Sequence, residues 1–291
     1  MTDKYRNLII TAASESYRPQ LLALLGSLRC NWPDHPPVVV YDLGLGEGTS
    51  ELLRQAGFQV RAISPFVPHW RKHYTWKLWC MNDAPAECVL WMDCGDCILR
   101  PVPEVFEIIR QQGYFAVPNY RPLEIEASED ACEGCGVPTD FRAGKVSLAG
   151  GVFGFMRGSV AEKIVRECLE VALTERYIKA SKPWHRHDQS ILSLLMYREI
   201  LPLILCDGAT YFCEDLTAKF TTQSIWGGRR YMHYKDLRFF ASCLLGPATP
   251  HLPRASHKMT LWFKTALQVK IALKAVLRLL GRDKSLFDGV R

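Results

Sequence analysis

Two aspartates, Asp93 and Asp96, interrupt the segment 89–97, VLWMDCGDC. The apolar run before them shows no polar alternation, which predicts a strand buried on both faces. Carboxylates at the carboxyl end of such a strand stand where open α/β sheets bind ligands. Two hard oxygen donors there are able to hold magnesium or manganese beside a diphosphate. The same pair also fits an ordinary turn after a strand.

Other segments carry compatible chemistry. Gly150 and Gly151 in LAGGVFGF (148–155) permit a close approach of backbone to ligand. Asp188 and Gln189 in WHRHDQS (184–190) open a helical stretch and could contact sugar hydroxyls, although Asp188 equally suits an N-terminal capping acid. His185 and His187 in the same segment fit capping or surface roles better than a metal pair. Lys77 in YTWKLW (74–79) offers a cation that could balance phosphate, or a solvated helix lysine. Trp76 and Trp79 beside it read as core. Two CxxC pairs, Cys94/Cys97 and Cys132/Cys135, could form a four-cysteine zinc site, or be small residues in tight turns.

These residues need a scaffold. Segments 7–14, 36–42, 59–64 and 89–92 read as strands, with 114–118, 148–156 and 201–206 following. Helical patterns occupy 17–32, 51–57, 74–87, 103–112, 160–178 and 188–199. Alternation of the two predicts an α/β sandwich with a largely parallel sheet. Segment 121–142 reads as polar and irregular, holds several acids and is long for a plain connection, which marks a candidate functional loop. The last helical pattern, 259–282, sets Lys264, Gln268, Lys270, Lys274, Arg278 and Arg282 on one side against an apolar remainder. That face suits an anionic bilayer surface or packing on protein. The expected division is therefore residues 1–245 and a basic helical extension, 246–291.

Composition sets the outer limits. With 291 residues, 48% hydrophobic and 23% charged, the chain is ordinary for a globular protein with a large core. The formal charge of +6 suits an anionic substrate, a membrane surface or nucleic acid equally. Its basic residues match no nucleic-acid module. The start MTDKYRNLIITAAS lacks the pattern of a signal peptide, and no apolar run reaches spanning length. The expected location is cytoplasmic, with peripheral attachment to the inner membrane face through 259–282. Eleven cysteines in that setting read as mostly reduced.

The ordered series of motifs resembles GT-A-type nucleotide-diphospho-sugar glycosyltransferases, especially family 8-like domains. It runs over most of 7–234. Its pieces are the opening strand with Thr11 to Ala13 and Tyr17, VVVYDLGLG, YTWK, VLWMDCGD, LAGGVFGF and HRHDQS. The resemblance implies a single GT-A, Rossmann-like domain and an enzyme moving a sugar from a nucleotide donor, UDP-linked, to an acceptor hydroxyl with retained configuration. Thr11 and Ala12 would border the nucleobase and Asp42 would lie near it. Gly150 and Gly151 would border the donor sugar, and Asp188 and Gln189 the transferred sugar and acceptor. Asp93, Asp96 and His233 would hold Mn2+ or Mg2+, with His251 and His257 as other histidine matches. The acceptor would be a glycan, lipid or protein. Two residues separate Asp93 from Asp96, where the family's motif has one. Either Asp96 reaches the ion from a shifted turn or Asp93 works with His233. A catalytically weak nucleotide-sugar-binding domain and a zinc-bearing interaction protein are the rival classes.

Overall fold

The structure is a computed structural model that describes residues 5–179, 185–206, 211–212, 223–227 and 240–244. In chain order its strands and helices are β1 (Tyr5–Ala13), α1 (Arg18–Asn31), β2 (Val38–Asp42), α2 (Glu47–Gln55), β3 (Gln59–Ala62), α3 (Thr75–Asp83) and β4 (Ala86–Met92). Next come β5 (Cys97–Ile98), α4 (Pro103–Gln112), β6 (Tyr114–Phe115), β7 (Pro118–Pro122), α5 (Leu123–Glu126) and α6 (Glu129–Gly134). The series continues through β8 (Val146–Leu148), β9 (Val152–Met156), α7 (Val160–Ala172), α8 (Glu175–Ile178), α9 (Asp188–Glu199), β10 (Tyr211–Phe212) and β11 (Ile225–Trp226).

The main sheet has six strands in the order β3-β2-β1-β4-β9-β6. β3, β2, β1 and β4 run parallel, and β9 runs antiparallel to both β4 and β6. The strand order reverses beside β1, so the carboxyl ends of β1, β2 and β4 open at a topological switch point. Leu8, Ile10 and Ala12 of β1 join Val39, Tyr41, Val89 and Trp91 in one apolar cluster with residues of α3, α7 and α9. Ile9 and Val40, on the opposite face, are equally buried. Both faces of the sheet are therefore covered, which explains why its strands read as continuous apolar runs. Smaller sheets, β10-β11-β5 and β7-β8, flank the main one.

The mixed α/β class and mostly parallel sheet match the sequence reading, and several local expectations are corrected. The 148–156 pattern is not one strand: Gly150 and Gly151 lie between β8 and β9. The 160–178 helix breaks into α7 and α8. Segment 121–142, expected to be irregular, contains α5, α6 and a short 3-10 turn at Thr139–Arg142. Segment 201–206 is no strand; Leu201 and Ile204 are solvent-exposed and Cys206 donates a single backbone bond to the Ala116 carbonyl. Residues 259–282, His233, His251 and His257 lie outside the described residues.

One glycine shows how tightly late and early segments are fitted. A Cβ at Gly26 of α1 would sit 1.7 Å from the Phe240 carbonyl oxygen, and Arg29 Nη1 donates to the Leu244 carbonyl at 3.2 Å. Backbone cannot yield as a flexible side chain can. Gly26→Ala is therefore expected to cost about 3 kcal/mol, the upper end of overpacking penalties. Gly48→Ala in α2, where a Cβ meets nothing within 4 Å, is expected to be neutral or to stabilise. Thermal melts of the two variants check both signs.

Candidate functional site

A buried lysine organises the carboxyl end of the sheet. Lys77 projects from the first turn of α3, and its side chain is only 5% exposed. Its Nζ lies 3.0 Å from Asp93 Oδ1 and 3.3 Å from Asp188 Oδ2, and it donates to the Gly150 carbonyl. The same ammonium stands 4.9 Å from the centre of the Trp91 ring. Trp91 Nε1–H donates to the same Asp93 oxygen at 2.8 Å. Alternation along β4 puts Trp91 and Asp93 on one side, so the strand geometry itself supplies that bond.

The electrostatics follow from burial and pairing. Burial is the largest single influence on Lys77 and pulls its pKa down; Asp93 and Asp188 together outweigh it and hold the ammonium above the ordinary lysine value. Asp188 is raised from the usual carboxylate range, first by burial, with Lys77 acting against it and Asp93 with it. Asp93 is the more accessible acid, its side chain 37% exposed against 10% for Asp188.

Gly150 and Gly151 have distinct tasks. The Gly151 carbonyl accepts from the Asp93 N–H at 2.8 Å, which fixes the end of β4 against the start of β9. A Cβ on Gly150 would lie 2.9 Å from Gln189 Oε1 and 3.3 Å from Gln189 Cβ, so a larger residue there would displace the Gln189 side chain. Gln189 Oε1 accepts from the Gly150 N–H at 3.3 Å, while its Nε2 donates to Glu126 Oε2 at 2.9 Å. That Glu126 oxygen also accepts from Ser147 Oγ at 2.6 Å and Asn119 Nδ2 at 2.9 Å. Arg121 and Arg186 flank the other Glu126 oxygen at 3.7 and 3.5 Å. Glu126, Ser147, Asn119 and Trp91 were not singled out by the sequence. The available signals were the spacing of Trp91 two residues before Asp93 and, for Glu126, its place among the acids of segment 121–142, second candidates after Asp188 for a sugar-side carboxylate.

The other expected site residues fall as follows. Thr11 and Ala12 are buried inside β1. Asp42 closes β2 by accepting the Gly44 and Leu45 N–H groups, both at 2.6 Å, on Oδ1. Asp96 is buried at 2% exposure, and its N–H donates to the Asp93 carbonyl at 2.9 Å, closing a turn. The structure thus gathers Lys77, Asp93, Gly150, Gly151, Asp188 and Gln189 and leaves Asp96 inside the turn below them. Among the described residues no group of three or more His, Cys, Asp or Glu could hold a metal ion. Of the expected ligands, Asp93 stands accessible, Asp96 is buried in the turn and His233 lies outside the described residues, so the described residues alone do not make a metal centre. Cys132 and Cys135 lie in the main apolar cluster and Cys97 in another, so the two CxxC pairs do not converge on zinc. Burial pushes the Cys135 thiol well up.

No protein-family model matches the chain, and no curated protein sequence does. Solved structures do. The fold is the GT-A fold of glycosyltransferases. The galactosyltransferase LgtC, solved in complex with donor and acceptor sugar analogues, matches with a TM-score of 0.56 at 16% identity, over 84% of this chain and 98% of LgtC. An active-site mutant of LgtC matches at 0.53 and 14% identity over the same shares, 84% and 98%. The bifunctional glycosyltransferase WbbM matches at 0.56 and 12% identity over 82% of this chain, which spans 50% of the WbbM chain. No helix among the described residues is long and apolar enough to cross a membrane.

Two outcomes test this arrangement. Lys77→Met leaves the buried Asp188 without its counter-ion and is expected to cost about 3–5 kcal/mol, read by denaturant unfolding. The second concerns His185, buried beside Ser128, whose N–H donates to His185 Nδ1 at 3.2 Å. Burial first, then His187, lowers its pKa from 6.5 to about 3. A base depressed in the folded state binds its proton better when unfolded. Its contribution is intact above pH about 6.5 and is lost progressively as pH falls toward about 3. The melting temperature of His185→Gln should therefore fall less steeply over that window than that of the wild type.

Proposed function

We propose that this chain is a glycosyltransferase that moves a sugar from a nucleotide donor, UDP-linked, to an acceptor hydroxyl, with retained configuration. The observation that carries the reading is the buried Lys77, which ties Asp93 at the end of β4 to Asp188 at the start of α9 and to the Gly150 carbonyl. The GT-A fold of LgtC and WbbM supports the reading, as does the binding of donor and acceptor sugar analogues by LgtC itself.

Each residue then has a chemical task. Asp93, partly exposed at the strand end, faces the diphosphate side of the donor, with its Oδ1 held 3.0 Å from Lys77 Nζ. Asp188 accepts hydrogen bonds from donor-sugar hydroxyls, and its pairing with Lys77 fixes where those bonds can form. Gln189, oriented by Gly150 on one side and Glu126 on the other, completes the sugar-side wall. Asp42 and the turn after β2 border the nucleoside. A preset arrangement of this kind lowers the barrier by alignment, since the polar groups need no reorganisation during transfer. A divalent Mn2+ or Mg2+ at Asp93, with His233 completing it, would neutralise the leaving diphosphate. The acceptor is a glycan, lipid or protein, and the basic and apolar sequence of 259–282 would seat the enzyme on an anionic membrane surface.

A thermal-shift screen of nucleotide sugars with and without manganese tests the reading. Stabilisation by one UDP-sugar, with donor hydrolysis abolished in Asp188→Asn and cut at least about 100-fold in Asp93→Asn, is the expected result. Binding without turnover, unaltered by either substitution, would reduce the chain to a nucleotide-sugar-binding domain.

A further inference from the structure

Among the described residues, three that are not glycine have positive φ: His73 at 57°, Tyr74 at 61° and His187 at 53°. They come from distant parts of the chain, yet they touch. The His73 and His187 ring centres are 5.2 Å apart, and those of Tyr74 and His187 are 5.8 Å apart.

Each belongs to a turn whose shape ordinarily calls for another residue. Lys72–Thr75 is closed by the Thr75 N–H donating to the Lys72 carbonyl at 3.1 Å. Its two central residues, His73 and Tyr74, both have positive φ, the requirement of a type I′ turn that glycine and asparagine normally meet. Arg186–Gln189 is closed in the same way, the Gln189 N–H donating to the Arg186 carbonyl at 3.1 Å. There His187 has φ 53° and ψ −119°, the place a type II′ turn gives to glycine. Strained residues persist where their surroundings hold them and where the strain serves a site.

Both turns lead directly into the site. The first runs into α3 and Lys77; the second runs into α9, Asp188 and Gln189. The two histidines are also held by one short element. His187 Nδ1 is 2.8 Å from the Ile178 carbonyl, which can only accept, so that nitrogen carries the proton. His73 Nε2 lies 3.4 Å from Glu175 Oε1. Glu175 and Ile178 are the two ends of α8.

We propose that His73, Tyr74 and His187 form a brace that sets the first turns of α3 and α9 at a fixed separation, with His187 as a positioning residue for the Lys77–Asp188 pair. The backbone at position 187 favours glycine, so the imidazole sits there against the backbone preference, held by what it touches. The consequence for turnover rests on the glycosyltransferase reading; the consequence for the two helix starts does not.

The decisive variant is His187→Gly, which keeps the turn and removes both the strain and the ring. The expected result is a melting temperature equal to or above wild type and unchanged UDP affinity by calorimetry. Faster hydrogen exchange is expected at the first-turn amides of α3 and α9. With UDP-glucose and UDP-galactose as probes, kcat for donor hydrolysis should fall by about tenfold or more. His73→Ala should act in the same direction, and the double variant should be no worse than the poorer single one, because both break one brace. Unchanged exchange at both helix starts overturns the proposal whatever the activity. So does a parallel loss of melting temperature, UDP affinity and kcat, which would mark the ring as ordinary packing. Asp188→Asn, measured alongside, separates the two readings. If it retains full turnover, the sugar-side assignment fails. If it is inactive while His187→Gly keeps wild-type kcat and exchange, only the brace fails.

Discussion

An ammonium group with almost no access to water cannot stay charged unless its protons are accepted nearby. Lys77 meets that requirement with Asp93, Asp188 and the Gly150 carbonyl, and these acceptors come from the end of β4, α9 and the link between β8 and β9. The parallel half of the sheet, its antiparallel edge and the helix layer must therefore all be in place before the ion is satisfied. Removing one partner leaves a buried charge, so the arrangement is held together more firmly than any single bond in it would suggest. The same constraint that stabilises the charge fixes the spacing of the groups at the carboxyl edge of the sheet.

Around this centre the polar network is layered. Glu126 is 1% exposed, and one of its oxygens accepts from Asn119, Ser147 and Gln189 together. Because a carboxylate accepts only, the Gln189 amide must turn its nitrogen toward Glu126 and its oxygen toward the Gly150 N–H. The orientation of a side chain next to the proposed sugar site is thus decided by a residue from the segment between β7 and β8.

What the sequence disclosed and what it hid follow from range. The strands of the parallel half were legible because burial on both faces leaves uninterrupted apolar runs such as VLWM. The direction of β9 was not, since its apolar residues look the same in either sense. Segment 201–206 misled because apolar Leu201 and Ile204 imply burial, yet both side chains stand in solvent. Asp93, Gly150 and Asp188 were legible as chemistry-bearing types at turn positions. Lys77 was read as either a phosphate cation or a solvated lysine, because its burial depends on residues brought in from far along the chain. Glu126 was hidden for the same reason, as one acid among several in 121–142. The left-handed turns at His73, Tyr74 and His187 were invisible because pattern reading assigns such turns to glycine or asparagine.

The interlock of α1 with 240–244 bears on how the chain reaches its native state. Ala23 shares a cluster with Cys97, Trp226 and Phe240, and the strand β5 that follows the site turn pairs with β11. These partners are synthesised last among the described residues. A growing chain can form the β1, β2 and β4 ladder early, but it carries Ala23 and Cys97 uncovered and β5 unpaired with β11 until those residues emerge. Such loop closures over long sequence separation are slow and leave sticky surface exposed while they wait. Truncation before residue 240 would therefore leave the Phe240 side of α1 uncovered at Ala23 and Gly26. Such a chain would be prone to association during synthesis, even with Lys77, Asp93, Gly150 and Asp188 all present.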